Sequence, residues 1–393
     1  MRHYTRDVGS PVLALPSNKK HHYVPQFYLR RFSRDGRSIN LYNLRREQTV
    51  LRASLKRQCY KNYFYGEDAS MESLLAALEA DASKLFRVVD KTNSLPPPGS
   101  RAHFALIMHV LMQSSRTVYA SDALNEISDT LAKHILGPKA EAKGIDLATV
   151  RIGIKNMAQH SVVMAMRQCP LLLDLEYKLI INRTDQEFLA SDNPVVMYNP
   201  FMSFRRYVSN CGIVSKGLQV FFPLDKDKTV LLYDAAVYSV GTARSHLVDL
   251  TVPKDVYSVN ALQACSARDN LYFVRDNYNV QALHAKVRPF LRQRKAKVDI
   301  YPGDWIKDKK RDMLATSKED IRTDCTFSFI RVRAPAKRWR AVFRKASLQP
   351  AAVFRNTDLY EKHEKAQRAL KSGTMSFERA LEHLREMGID IGE

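Results

Sequence analysis

Cysteine is scarce in this chain: five in 393 residues, Cys59, Cys169, Cys211, Cys265 and Cys325, with no Cys-x-x-Cys pair. Scattered and odd in number, they exclude a disulfide framework and the common zinc and dithiol motifs, and predict reduced, mostly buried thiols in a cytoplasmic protein. Long apolar runs are also missing. A bilayer-crossing helix needs about 20 apolar residues, and the most apolar stretch, residues 104–112, is short and contains His109. No transmembrane segment is therefore expected, and the proline-broken stretch 9–16 is a poor signal peptide. Glycine and proline number 14 and 16, too few for a collagen-like or low-complexity chain. Absent too are Gly-x-x-x-x-Gly-Lys-[Ser/Thr], Gly-x-Gly-x-x-Gly after a strand, Gly-x-Ser-x-Gly and His-Glu-x-x-His. Nucleoside triphosphatase, dinucleotide oxidoreductase, common esterase and zinc protease readings lose their usual support.

Acidic residues are the remaining deficit, 41 against 62 Lys and Arg, for a net charge of +21. The excess is localised. Residues 1–62 carry 14 basic and 3 acidic side chains, and residues 286–345 carry 19 and 7, while the rest is close to neutral. A fold that joins the two blocks presents one basic face, and nucleic acid is the natural partner for such a face. Aromatics interleave with both blocks: Tyr42, Tyr60, Tyr63, Phe64 and Tyr65 in the first, Trp305, Trp339 and Phe343 in the second. Rings beside cations suit bases and phosphates, although aromatics more commonly build a core. The alternatives are charge that only prevents self-association, an anionic membrane surface, or an acidic partner protein.

Periodicity divides the chain into a flexible lead-in (1–20), an α+β core (21–280) and a basic carboxyl-terminal extension (281–393) ending in two helices. The core opens with a short helix after Pro25 and two strands, 38–44 and 49–53. A helical block spans about 70–169, with apolar stripes read as core and breaks at Pro96-Pro97-Pro98-Gly99. Its helices are expected at 100–120, 121–136 and 146–168. Past Pro170 the period falls to two, predicting strands at 177–182, 187–190, 195–198, 218–222, 229–233 and 271–274, with a helix at 254–268. The fold class is α+β, a mixed sheet with an inserted helical block, since no βαβ rhythm appears. In the extension, a helix at 281–295, strands at 298–301 and 325–332, and final helices at 356–370 and 376–387 are expected.

The stretch His21-His22-Tyr23-Val24-Pro25-Gln26-Phe27-Tyr28-Leu29-Arg30-Arg31-Phe32 resembles the opening signature of the bacterial domain-of-unknown-function family numbered 4238. Gln113-x-x-Arg116, Ser191-Asp192-Asn193-Pro194 and Phe222-Pro223-Leu224 resemble the same family in the same order, over about residues 20–275. The resemblance implies an α+β fold in prokaryotic proteins and candidate residues, and no reaction.

Physically, His109, Gln113 and Arg116 are spaced to share one face of a helix. A guanidinium can hold a phosphate through two parallel bonds and an amide can orient a substrate. The bland reading is a polar helix edge locked to the amino-terminal segment. His21 and His22 precede the short helix, where free N–H groups attract anions and an imidazole can move a proton. Otherwise one histidine is a core hydrogen-bonder and the other is solvated. Asp192-Asn193-Pro194 reads equally well as a turn or as a histidine orienter or ligand with a substrate-binding amide.

The resulting expectation is a nucleic-acid-binding protein that cleaves phosphodiesters. His22, Arg116 and Asp192 are its catalytic candidates; His21, Gln113, Asn193, Arg45, Arg46, Lys309 and Lys310 are its substrate contacts. A divalent metal ion on His22 and Asp192 remains an open alternative, with no known ligand spacing behind it. The rival reading is a non-catalytic module of a defence or regulatory system that binds nucleic acid or a partner protein.

Overall fold

In the computed structural model, residues 19–67, 69–205, 209–291, 297–301, 313–317, 320–321, 323–346, 352–372 and 379 are described. The signature stretch opens as strand β1 (Lys20–His22), and Pro25 precedes a single helical turn, α1 (Gln26–Leu29). Asp35 closes the next turn by accepting the N–H groups of Arg37 and Ser38 at 2.8 and 2.7 Å. Strands β2 (Ser38–Asn43), β3 (Gln48–Ser54) and β4 (Tyr60–Asn62) follow.

The helical block comprises α2 (Ala69–Thr92), α3 (Arg101–Ser115), α4 (Val118–Glu141) and α5 (Met157–Gln168). The two helices expected over 100–120 and 121–136 are present, but the break between them falls at Arg116-Thr117, earlier than expected. Arg116 leaves helical geometry at ψ 1°, and Thr117 begins a new helix, its hydroxyl accepting the N–H of Ala120; Ser100 caps α3 the same way on His103. The helix expected from 146 starts only at Met157, because Asn156 adopts the left-handed conformation at φ 56°.

Then come β5 (Glu176–Asn182), β6 (Ala190–Ser191), β7 (Val196–Tyr198), β8 (Gln219–Pro223), β9 (Lys228–Tyr233), β10 (Tyr238–Val240) and β11 (Leu247–Leu250). They lead into α6 (Pro253–Ser266), β12 (Asn270–Phe273) and α7 (Val280–Val287). The extension contributes β13 (Lys297–Tyr301), β14 (Met313–Ser317), β15 (Ile330–Val332), α8 (Ala334–Lys345) and α9 (Thr357–Lys371). Helix α8 is an addition to the expected elements: Pro335 stands in its first turn, where a missing N–H costs nothing. Apart from residue 379, the helix expected at 376–387 lies outside the described residues, as does the lead-in through residue 18.

Two sheets organise the molecule. One is ordered β11-β5-β9-β8-β7, the other β3-β2-β12-β6. In the first, β11 runs parallel to β5 while the remaining pairs are antiparallel, so the expected mixed sheet and α+β class are the ones observed. Its central strands are buried on both faces, as their unbroken apolar runs require. Leu179, Ile181, Val220, Phe222, Val230 and Leu232 point toward the helical block and α1. The intervening Ile180, Phe221, Leu231 and Tyr233 point toward α6 and the extension, the alternation a pleated strand dictates.

Helix α6 is therefore walled in: it packs Val256, Val259 and Leu262 on the five-stranded sheet and Ala261, Ala264 and Cys265 on the other. Its polar residues are satisfied by the strands they cross. Asn260 accepts from the Leu189 N–H at 2.9 Å and donates to Glu187 O at 2.7 Å. Gln263 accepts from the Ser191 hydroxyl at 2.9 Å and donates to Pro194 O at 2.6 Å.

The extension packs on this core. β15 pairs with β10, Ser328 donates its N–H to Asp255 at 2.8 Å, and Arg355 forks onto Asp174 at 2.9 and 2.6 Å. None of the five cysteines is in a disulfide, and Cys59, Cys169 and Cys265 are buried. Among the described residues no helix is long and apolar enough to cross a membrane.

Candidate functional site

The stretches that carry the candidate residues converge. His22 sits in β1, paired with Tyr60 of β4, and its backbone carbonyl accepts from the Arg116 guanidinium at 2.7 Å. Gln113 donates to the next carbonyl along the signature, that of Tyr23, at 3.1 Å. Immediately after Arg116, the Thr117 hydroxyl donates to Asn193 Oδ1 at 3.0 Å. Tyr28 donates to Pro223 O at 2.7 Å and stacks on Phe222, ring centroids 5.1 Å apart. Arg31 donates to Leu224 O at 2.6 Å while forking onto Asp90. The four signature stretches are thus a clasp, each holding another through a backbone carbonyl or a buried amide.

This clasp uses the side chains that were expected to face a substrate. Arg116 was expected to grip a phosphate. It is 2% exposed, and its nitrogens serve the Tyr65 hydroxyl at 3.2 Å, Glu79 at 2.7 Å and His22 O. Burial opposes its charge, but Tyr65 and Glu79 outweigh that and hold its pKa above the ordinary value. As the residue that ends α3 rather than one within it, Arg116 turns away to reach these partners.

Asp192 was expected to orient His22 or bind a metal. Its carboxylate instead accepts three backbone N–H groups, of Arg268 at 2.7 Å, Asp269 at 2.8 Å and Asn270 at 3.1 Å, shaping the turn from α6 into β12. Burial raises its pKa to about 6 despite those bonds. Asn193 donates to the Ser266 hydroxyl at 2.9 Å. Gln113 is 1% exposed.

His109, on the same helix, is enclosed by Phe27, Phe86 and Phe222 at 5.9, 5.3 and 5.8 Å. Neither of its ring nitrogens finds a partner among the described residues, and burial, then the Arg116 charge, lowers its pKa to about 3. Among the described residues no three His, Cys, Asp or Glu side chains are grouped as metal ligands.

His21 is 3% exposed; its Nδ1 accepts the Tyr65 N–H at 3.2 Å and its ring stacks on Tyr65. The helix start at which an anion site was expected is one turn long, and both histidines lie in a strand before it. His22 is the exception among the three catalytic candidates: its side chain is half-buried. Its Nε2 lies 3.2 Å from the Gln26 amide nitrogen and 3.4 Å from Lys56 O. Burial depresses its pKa below the ordinary imidazole value, which favours the neutral ring, able to accept a proton.

Around His22 the surface is cationic and aromatic. Lys19, Lys20, Lys56, Arg57 and Lys61 are exposed. Lys20 lies over the Tyr60 ring at 5.1 Å and Lys61 over Phe64 at 5.6 Å. Tyr63 is 42% exposed and adopts the left-handed region at φ 51°, so its backbone is turned where a non-glycine residue rarely goes. Tyr60 and Tyr63 were legible as aromatics; their gathering about His22 was not, because β1 and β4 are three residues each and too short for an alternating pattern to register.

Arg45 is exposed and pairs with Asp269 at 2.7 Å, the residue whose N–H Asp192 holds. Arg46 is exposed in the turn after β2. The two basic blocks touch here, through Arg288 and Glu47 at 3.4 Å, whereas α8, farther along the second block, packs into a different core cluster. Lys309 and Lys310 lie outside the described residues. A cavity of about 210 Å³ beside Arg34, Asn40 and Arg52 contains none of the candidate residues.

No curated protein and no solved structure matches the chain. A family model described as "Protein of unknown function (DUF4238)" matches residues 20–277. That range holds all four signature stretches and the clasp they build, and covers well over half of the 393 residues; the chain belongs to this family.

Proposed function

We propose that the chain binds nucleic acid, and that the β1–β4 edge around His22 is its contact surface. The observation that carries this reading is the interleaving of exposed Lys19, Lys56, Arg57 and Lys61 with Tyr60 and the outward Tyr63 ring. Cations neutralise phosphates and release counterions, and a ring face stacks on any base. The pairing suits a single strand, whose bases are free to reach a ring.

Binding is favoured over cleavage. Of the three groups proposed for phosphodiester chemistry, only His22 presents a side chain at the surface. Arg116 has its guanidinium and Asp192 both carboxylate oxygens engaged by the protein. A role in cleavage therefore rests on His22 as acid or base, in a surface that otherwise binds.

Anisotropy of labelled single-stranded RNA and DNA across a salt series tests the proposal. Lys56→Gln with Arg57→Gln and Lys61→Gln should weaken binding and reduce the slope of log K against log salt by about 0.7 for each phosphate no longer neutralised. Tyr63→Ala should weaken binding by roughly 1–3 kcal/mol with the slope unchanged. Absence of binding at low salt, or binding indifferent to salt, would refute it. The same strands incubated with magnesium or manganese test cleavage, which His22→Asn should abolish if it occurs.

A further inference from the structure

Helix α8, Ala-Pro-Ala-Lys-Arg-Trp-Arg-Ala-Val-Phe-Arg-Lys, contains five cations and no carboxylate. At 100° per residue, Ala336, Trp339, Arg340 and Phe343 share one side, Arg344 flanks it, and Lys337, Arg338, Ala341 and Lys345 spread over the opposite arc. The structure uses the first side for packing. Ala336 is buried; Trp339 stacks on Phe201 at 5.9 Å and on Phe343 at 4.7 Å. Phe343 meets Phe204 edge-on at 6.3 Å.

Cations on the inner margin are held by ring faces. Arg340 lies 5.6 Å from both Phe201 and Phe204, Arg344 lies 5.4 Å from Phe204, and Lys216 lies 5.4 Å from Trp339. Among the described residues no carboxylate pairs with Lys337, Arg338, Arg340, Arg344 or Lys345. Lys337, Arg338, Arg344 and Lys345 are all exposed. A row of positive charge is thus held to the core by aromatic packing and, among the described residues, left without counter-charge.

We infer that α8 is a second nucleic-acid contact, one that follows the phosphate backbone without reading bases; the inference rests on the nucleic-acid reading above. Charge complementarity selects the occupant. The helix's rings lie inward against Phe201 and Phe204, leaving none on the outer arc to stack on a base. An interfacial membrane helix must keep its apolar face free for lipid, and in α8 that face is spent on the core. The apolar residues on the outside are Val342, 73% exposed, and the small Ala341. Exposed Arg331 and Arg333 precede the helix and extend the row. The surface is distinct from the β1–β4 edge, whose Tyr23 and Phe64 pack in the other main cluster.

The test uses the full chain, a labelled duplex and a labelled single strand over a salt series. Lys337→Gln with Arg338→Gln and Lys345→Gln removes three outer charges while leaving Arg340 and Arg344 on their rings. Affinity for the duplex should fall at least tenfold at low salt, and the log–log slope should drop by about 0.9 for each phosphate that regains its counterions. The charge-preserving Lys337→Arg with Arg338→Lys and Lys345→Arg should bind as wild type. Arg338→Glu alone, should the triple variant misfold, should also weaken duplex binding and lower the slope.

Wild-type affinity and slope in the triple variant would overturn the role of α8 and leave the β1–β4 reading intact. Failure of the wild type to bind any strand would overturn both. Loss of binding in the charge-preserving variant would assign the effect to packing. Loss of sedimentation with vesicles of anionic phospholipid, with nucleic-acid affinity unchanged, would assign the helix to a membrane surface instead.

Discussion

The Arg116 guanidinium donates to the carbonyl oxygen of His22 at 2.7 Å, tying the end of α3 to strand β1 across 94 residues of sequence. With Glu79 and Tyr65 completing its shell, the residue works as an internal fastener. Arg116→Ala would leave Glu79 and two further acceptors without their donor, a loss of about 3–5 kcal/mol for a broken buried pair. Arg116→Lys should recover little, because one ammonium cannot serve three diverging partners as a planar fork does. Urea denaturation measures both. A variant with undiminished stability and abolished strand binding would instead make Arg116 a ligand contact.

Asp192 links stability to pH in a direction opposite to most carboxylates. Its folded-state pKa of about 6 lies above the ordinary value of 3.8. Between those values the folded chain retains a proton that the unfolded chain has released. The group's contribution is therefore present at acid pH and is lost as pH rises through 6, on the order of 3 kcal/mol. Asp192→Asn should cost about 1–3 kcal/mol by setting an amide NH2 against backbone N–H groups. The wild-type advantage over this variant should shrink from pH 4 to pH 6.5. An advantage that grows over that range would contradict the assignment.

His109 behaves in the opposite sense. Its folded pKa of about 3 lies below the unfolded 6.5, so protonation of the unfolded chain draws stability away as pH falls below 6.5. His109→Phe removes both the titration and two unpartnered buried nitrogens from an aromatic box. Thermal unfolding should show a variant at least as stable as wild type at pH 7, gaining further on it by pH 5. A lower midpoint at both pH values would mean that the ring nitrogens have partners worth keeping.

Arg355 donates to Asp174 through two nitrogens and to the carbonyls of Leu171, Ile213 and Ser215 at 2.8–3.3 Å. Arg355→Lys should release the segment that carries α9. Limited proteolysis should then cut within 352–372 faster while α3 and β5 stay protected. Unchanged cleavage rates would place the anchoring of α9 elsewhere.

Much of this architecture was legible in the residues. Strands β5, β8 and β9 were foreseen nearly to their ends because Val, Ile and Phe runs bounded by turns leave few alternatives. The break between α3 and α4 was expected a few residues too late, since Ser115-Arg116-Thr117 carries no glycine or proline; a cap hydroxyl and a tertiary guanidinium shell end that helix. The stretches carrying His22, Gln113 with Arg116, and Asp192 with Asn193 are joined by backbone and amide bonds, but sequence spacing cannot tell whether a polar face looks outward or inward. Tyr65 and Glu79, which decide the matter for Arg116, lie in other segments whose spacing gives no sign of that partnership.

Helix α6 has the last consequence. Clamped by amides on one strand edge and by aliphatic side chains on two sheets, it leaves neither sheet a separate interior. Heat or denaturant that strips one sheet removes a wall of the other, so both should melt together, and damage at one end of the molecule should be felt at the far side.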